Sequence, residues 1–413
     1  MDGAGVSVTL PSTTTAGVTA PLGFRAAGIH CGVKRRGADL AVVASDLACA
    51  SAGLFTSNRV KAAPVRYSQE VIAHGQARAI VANSGNANAC TGPKGQRDAE
   101  EMARLVARSI GVAPEEVLVA STGIIGELLP MDALRRGIPL ACEHLGRSGE
   151  GAAAAILTTD SGPKTAAAIV EIDGTPVRIG GMAKGAGMIH PKLATTLCFL
   201  TTDARLPASA LDSVLRTAVA GSFNRITVDG DTSTNDCILA LANGAAGNNP
   251  IVSGDALRSF EEALGGVALE LALQVVRDGE GATKVAEIEV TGASSKGDAD
   301  LVAYRLANSL LVKTALHGSD PNWGRLMAAL GSAGAEIAED RVQIFIGPAQ
   351  IVRDGLGVEA SLSAAAAELR GSQIELRIEL GLGEGSANVL TCDLSEEYVR
   401  INGSYAAEAG MVS

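Results

Sequence analysis

The chain changes its hydrophobic period several times along its length. Gln96–Gly111 sets Met102, Leu105, Val106 and Ile110 on one face at helical spacing, which predicts an amphipathic helix. Pro207–Ser222 and Gly254–Arg277 carry the same period, the second long enough for more than one helix. Arg78–Ala82 and Glu116–Ala120 are apolar, strand-like runs that each lead into a polar loop containing glycine. Ala166–Glu171 and Thr175–Ile179 flank Asp173-Gly174, a dipeptide suited to a tight hairpin turn. Toward the carboxyl end, Arg341–Ile346, Gln373–Glu379 and Asn388–Asp393 alternate as strands do. Helix and strand signals do not follow a strict βαβ rhythm, so the pattern predicts α+β layers rather than a doubly wound parallel sheet. There is no internal repeat, and the polar, glycine-rich Asp278–Lys284 segment is the candidate domain boundary.

Composition narrows the class. Hydrophobic residues make up 47% of 413, and mean hydropathy is +0.23, enough for sizeable cores and too apolar for a disordered chain. Apolar stretches such as Val267–Val276 are interrupted, here by Glu270, well short of a bilayer span, so no membrane partner is expected. With 34 Lys+Arg against 45 Asp+Glu the net charge is −11, and no basic stripe supplies phosphate contacts, which excludes nucleic acid as the main partner. The seven cysteines are scattered without a C-x-x-C pair, so neither a zinc site nor a disulfide framework is indicated. No basic residue precedes Arg25, as a signal or transit peptide would require, and the cytoplasm is the expected compartment.

Familiar signatures fail on inspection. Gly185-Ala186-Gly187 begins like a dinucleotide loop but has His190 where the third glycine belongs. Asp229-Gly230-Asp231 begins like a calcium loop but has Thr234 for its glycine and Ala240 for its bidentate glutamate. The five histidines form no H-E-x-x-H pair, and no metal is expected. What stands out is a set of small-polar, glycine-rich clusters: Asn83–Gly92, Ser121–Gly126, Lys184–Leu197, Asp229–Asp236 and His317–Arg325. Singly each suits a turn; together they suit the walls of an active site rich in hydroxyls and backbone amides. That inventory favours acyl transfer by a Ser or Thr nucleophile over chemistry by paired carboxylates.

The sequences KGAGMIHPKLATTL, NSGNANACTG, ASTG, SFNRITVDGDTSTND and VKTALHGSDPNWGR together resemble the ornithine acetyltransferases, the glutamate N-acetyltransferase family of arginine biosynthesis, and all five occur along the chain in the family's order. The likeness runs from about Gly23 to Asn402. It implies a layered α/β/β/α sandwich of the self-cleaving, N-terminal-nucleophile-like type with an additional C-terminal α+β domain from about residue 285. It further implies that the chain cuts itself between Ala194 and Thr195, giving an α chain (1–194) and a β chain (195–413) that assemble as a heterotetramer of two copies of each. In the implied reaction N2-acetylornithine acetylates Thr195, ornithine leaves, and glutamate takes the acetyl group, with no cofactor; acetyl-CoA is a further donor in some members, which the sequence leaves open.

Physical chemistry suits these roles. The freed α-amine of Thr195, with an intrinsic pKa of about 7.7–8.0, can act as base for its own hydroxyl. Thr196 is the rival nucleophile; a strand over Thr195–Leu200 would point the two to opposite faces. By the resemblance, Thr122 and Gly123 form the oxyanion hole, a hydroxyl and an N–H at a strand end. Lys184 then binds the substrate carboxylate, Glu280 the distal ammonium, Thr158 or Thr159 adds a contact, and Asn402 closes over the substrate. The chain departs from the family in having Leu193 and Thr196 where methionine is usual, and Ala407 with six further residues where a terminal Ser or Thr is usual. Competing readings are an amidase or aminopeptidase in which water takes the acyl group, a paralogue acting on another amine, and an unprocessed, non-catalytic homologue.

Overall fold

The computed structural model describes residues 16–190 and 196–408. It divides into two compact units, Met1–Asn224 with Asp231–Val275, and Arg225–Gly230 with Val276–Ser413.

The first unit runs β1 (Phe24–Ile29), β2 (Leu40–Phe55), α1 (Ala63–Ala73), β3 (Gln76–Asn86), α2 (Gly92–Ile110), β4 (Val117–Ile124), α3 (Met131–Glu143), α4 (Glu150–Ala155), β5 (Lys164–Ile172), β6 (Thr175–Lys184), β7 (Leu197–Thr202), α5 (Ala208–Ala220), β8 (Cys237–Ala242) and α6 (Gly254–Arg277). Its eight strands order as β4-β3-β2-β8-β7-β6-β5, with β1 paired to β2. The pairs β3/β4 and β7/β8 are parallel and the others antiparallel.

Strand β2 belongs to two layers. Leu40–Ala44 pair with β3, the register shifts between Ala44 and Cys49, and Ala50–Phe55 pair with β8. Strand alternation then sorts side chains to two faces. Val43, Ile80, Leu118 and Ala120 meet Met182, Leu197, Phe199, Leu239 and Leu241 in one buried core between the sheet layers. The opposite faces of β2, β3 and β4, through Leu40, Val42, Val81 and Val119, pack on Met102 and Val106 of α2 and Leu134 and Ile138 of α3. On the far side α6 lies so close to β6 that a Cβ on Gly181 would meet Leu271 and Leu200 at 2.8 Å. The layers are therefore α/β/β/α, the α+β class that the pattern predicts.

Of the expected helix Gln96–Gly111, all but Gly111 lies in α2, which begins earlier, at Gly92, and is capped by Gly111; Asp173-Gly174 joins β5 to β6 with φ of 50° and 76°, the left-handed pair such a turn needs. Gly254–Arg277 is one helix of 24 residues rather than two. The expected strand Thr195–Leu200 is found from Leu197 onward; Thr196 precedes it, and Thr195 lies outside the described residues.

The second unit runs β9 (Val285–Ala293), α7 (Lys296–Ala307), α8 (Leu310–His317), α9 (Trp323–Gly331), β10 (Gln343–Ile346), β11 (Ala349–Arg353), β12 (Leu356–Gly357), α10 (Leu362–Glu368), β13 (Gln373–Glu379), β14 (Gly385–Cys392) and α11 (Glu396–Glu408). Its sheet orders as β12-β11-β10-β13-β9-β14, and Ile288, Val290, Ile344 and Ile378 pack against Val302, Leu306 and Leu330 in its own core. No helix among the described residues is long and apolar enough to cross a membrane.

Candidate active site

Two glycines shape the end of β4. Gly123 has φ +129°, and a Cβ there would lie 2.3 Å from the carbonyl carbon of Gly85. Gly85, its register partner at the end of β3, has φ +98° and would collide with Lys34 at 2.5 Å. Only glycine tolerates this combination of backbone angle and contact, so the Thr122-Gly123 peptides occupy a conformation that side chains exclude. Thr122 itself is buried, and Lys184, the last residue of β6, donates to its Oγ1 at 3.4 Å. Residues 62 apart in sequence that the family resemblance assigns to the oxyanion and the substrate carboxylate therefore meet.

Beneath Lys184 lies an ionic cluster that the sequence reading missed. Asp160 is fully buried; its Oδ1 accepts from Lys164 Nζ at 2.6 Å and from the Gly185 amide at 2.6 Å, and its Oδ2 from the Thr158 amide at 3.0 Å. Burial alone would raise the Asp160 pKa, but the ammonium groups of Lys184 and Lys164 and these hydrogen bonds outweigh it and hold the carboxyl well below the usual carboxylate range. Asp160 is thus the anion about which two buried lysines, Lys164 and Lys184, are arranged. Thr158 contributes its amide to this cluster; Thr159, beside it, is partly exposed. The signal in the sequence was Asp160 and Lys164, four apart in the polar stretch after α4.

Asp236, the last residue before β8, is 2% exposed, and neither carboxyl oxygen meets hydrogen-bond geometry. Burial pushes its pKa well above the ordinary value, against the opposing pull of the Thr56 and Ser233 hydroxyls, Lys184 and the Thr196 amide. A proton on Asp236 relieves a buried charge that a single neighbouring cation already shares with Asp160. A carboxyl whose pKa is raised on folding stabilises fully below its unfolded value, near 3.8, and loses that contribution as pH rises through the folded value. Asp236→Asn is therefore expected to raise Tm relative to the parent increasingly from pH 4 to pH 8, by roughly 2–4 °C per kcal/mol relieved. Calorimetry across that range checks it; a difference independent of pH contradicts it.

The cluster Asn83–Gly92 turns out to be a brace. Asn83 Nδ2 donates to Asn86 O, Asn86 Nδ2 to Leu128 O and Asn88 Nδ2 to Gly95 O, while Ser84 Oγ donates to Ala155 O. Its amides and hydroxyls satisfy buried backbone carbonyls. In the second unit, His317 Nδ1 sits 2.7 Å from Asp393 Oδ2 and Asn322 caps α9, so the His317–Arg325 cluster holds local structure.

Glu280 and Asn402 both fall in the second unit. Glu280 is buried, and Asn402 Nδ2, on α11, donates to its Oε2 at 2.7 Å across 122 positions. Gly281, at φ +71°, has no room for a Cβ against Tyr398 N, 2.5 Å away, which keeps Glu280 beside α11. Ala194 and Thr195 lie outside the described residues, as does the side chain of Ala407. Thr196 is described: its Oγ1 is buried and meets no hydrogen-bond partner among the described residues, and its carbonyl accepts from the Cys237 amide at 3.1 Å. Among the described residues no group of three or more His, Cys, Asp or Glu is placed to hold a metal.

The ArgJ family model matches residues 25–407. The arginine biosynthesis bifunctional protein ArgJ of Symbiobacterium thermophilum is 52% identical over 394 residues, covering 94% of this chain and 98% of that protein. The chain belongs to the ArgJ family. It is accordingly an acetyltransferase enzyme of arginine biosynthesis. The ArgJ proteins of Geobacter sulfurreducens and Thermotoga neapolitana are 46% and 44% identical, each over 93% of this chain and over 98% and 99% of their own length. Among solved structures, ornithine acetyltransferase complexed with ornithine from Mycobacterium tuberculosis is 42% identical over 45% of this chain and 100% of that one, with a TM-score of 0.41.

Proposed function

We propose that this ArgJ-family member cuts itself before Thr195 and then moves the acetyl group of N2-acetylornithine to glutamate by way of an acetyl ester on Thr195. The Thr195 hydroxyl attacks the Ala194 carbonyl, the amide becomes an ester, and water releases the two chains. The α-amine so freed takes the hydroxyl proton when Thr195 attacks acetylornithine, and returns it to the departing ornithine amine. Glutamate's amine then attacks the ester, giving N-acetylglutamate and the free hydroxyl. The oxyanion of each step is met by Thr122 Oγ1 and the Gly123 N–H. Lys184 takes the substrate α-carboxylate, with Thr158 or Thr159 beside it; Glu280, hydrogen-bonded to Asn402, offers its second oxygen to an ammonium group.

The observation that carries this reading is the approach of Lys184 Nζ to Thr122 Oγ1, at 3.4 Å, beside a glycine that no other residue could replace. The cluster sets one anion, Asp160, in the field of three cations, Lys164, Lys184 and Lys34, a balance suited to an anionic substrate. No cofactor is required. The family resemblance further supports a cytoplasmic heterotetramer of two α and two β chains.

Mass spectrometry of protein treated with acetylornithine tests the proposal. The expected result is a break before Thr195, one acetyl group on the peptide that begins there, and its loss on adding glutamate. Loss at the same rate without glutamate indicates a hydrolase instead; an intact chain with no adduct refutes the proposal. Acetyl-CoA in place of acetylornithine reads the second donor by the same adduct.

A further inference from the structure

The 229–236 loop was set aside as a failed cation site, yet it connects two parts of the catalytic machinery. Asn235 is 5% exposed, and its Nδ2 donates to Ala87 O at 2.6 Å and to Ser121 O at 2.9 Å, while its Oδ1 accepts from Thr234 Oγ1 at 2.6 Å. The orientation of the amide is fixed by these partners, because the reverse would set an oxygen against two carbonyls. Ser121 O belongs to the same peptide unit as the Thr122 N–H, so a bond to the one orients the other. At the last residue of β4, the Ala87 amide donates to Ile124 O at 2.9 Å. Ser121 Oγ donates to Asn83 Oδ1 at 2.6 Å. Thr122 and Gly123 thus lie between two fixed points, Ser121 O and Ile124 O, and Asn235 joins the residue that holds the second point to the first. Two residues further on, the Cys237 amide donates to the carbonyl of Thr196.

We propose that Asn235 is a positioning residue, whose amide sets the Thr122-Gly123 donors and, through the short run to Cys237, their distance from the head of β7. The proposal rests on the reading of Thr122 and Gly123 as oxyanion donors. A donor misplaced by a fraction of an ångström stabilises the transition state less while leaving substrate binding intact.

The test is a double-mutant cycle in the full chain. Asn235→Ala should lower kcat for acetyl transfer about 10–100-fold, leave KM for acetylornithine within about twofold, and slow self-cleavage by a similar factor. In a Thr122→Ala background the same change should cost less than it does in the parent, because one of the two donors that Asn235 positions is already gone. Asn235→Asp supplies a second arm: its ionised form has no donor and its acid form has one, so its activity relative to the parent should rise as pH falls through a pKa that burial beside Asp236 and two facing carbonyls raises. Full additivity with Thr122→Ala, a loss matching only the fraction unfolded, or no acid rescue in Asn235→Asp overturns the proposal. Hydrogen exchange of the 117–124 strand keeps the test separate from the acetyl-transfer reading. Exchange should quicken in Asn235→Ala even if the parent neither cleaves nor transfers, and unchanged exchange overturns the positioning role.

Discussion

Thr195→Ala is expected to leave the chain in one piece and to lower acetyl transfer by more than about 10⁴-fold, since the hydroxyl that opens the peptide bond is also the group that carries the acetyl. A denaturing gel reads the first effect. The parent chain of 413 residues and 41.7 kDa, cut after residue 194, gives bands of about 20 and about 22 kDa by proportion of length. The variant gives one band at full size. Turnover reads the second effect, and the two must fall together. A Thr195→Ala chain that still splits would move the nucleophile to Thr196 or leave the hydroxyl out of cleavage altogether. One that stays whole yet transfers acetyl at the parent rate would break the link between cleavage and catalysis. Thr195→Ser separates hydroxyl from methyl: it should retain both reactions, because a serine hydroxyl supplies the same attack.

The Thr196→Ala control distinguishes neighbours that sequence alone could not. Among the described residues the buried Thr196 Oγ1 meets no hydrogen-bond partner, while its carbonyl accepts from the Cys237 amide. Thr196→Ala is expected to cleave and to transfer acetyl as the parent does, read by the same gel and turnover assay.

Some of this was legible in the chain because it depends on local period. Helix α2 and the β5–β6 hairpin announce themselves through spacing of apolar residues and through Asp173-Gly174. Strand β2 did not, because it runs through both sheet layers and is buried on both faces for its first six residues, so it carries no alternation. The start of β7 was set before Thr196, which lies outside the strand, since threonines favour strands whether or not a ladder reaches them. The motif residues Thr122, Gly123 and Lys184 were found through resemblance. Gly85, Asp160, Asn235 and Asp236 were not, because each takes its meaning from a partner that is distant in sequence or, for Asp236, from the absence of a hydrogen bond. Such meanings belong to the fold. In the cluster Asn83–Gly92 several side chains hold backbone, while Gly85 and Ala87 brace the end of β4 that carries Thr122 and Gly123.

Asp160→Asn should carry the largest stability cost in the first unit. The carboxylate is 0% exposed and the Lys164 side chain 3%, with 2.6 Å between them, and Lys184 lies in the same field. Asparagine keeps the volume and can still accept at one oxygen, from the Gly185 or the Thr158 amide, while its NH2 faces a donor on the other side, so the change removes the charge and at least one hydrogen bond. Removing one partner of a buried ion pair costs about 3–5 kcal/mol, because the remaining cation keeps its desolvation penalty. Here two ammonium groups lose their shared anion. The lost stability should reach that range near neutral pH and appear as a fall in Tm of roughly 10 °C. The pH dependence fixes the cause. A carboxyl whose pKa is lowered on folding contributes stability above its unfolded value, near 3.8, and loses it as pH falls through the folded value. The gap between parent and variant should therefore be widest above about pH 5 and narrow in strong acid. Activity should fall as well: without Asp160 the buried Lys184 loses its proton more readily, and kcat/KM should drop chiefly through KM as the cation for the substrate carboxylate is lost. A variant with the parent's acid stability profile would mean that Asp160 is not the charge that holds Lys164 and Lys184.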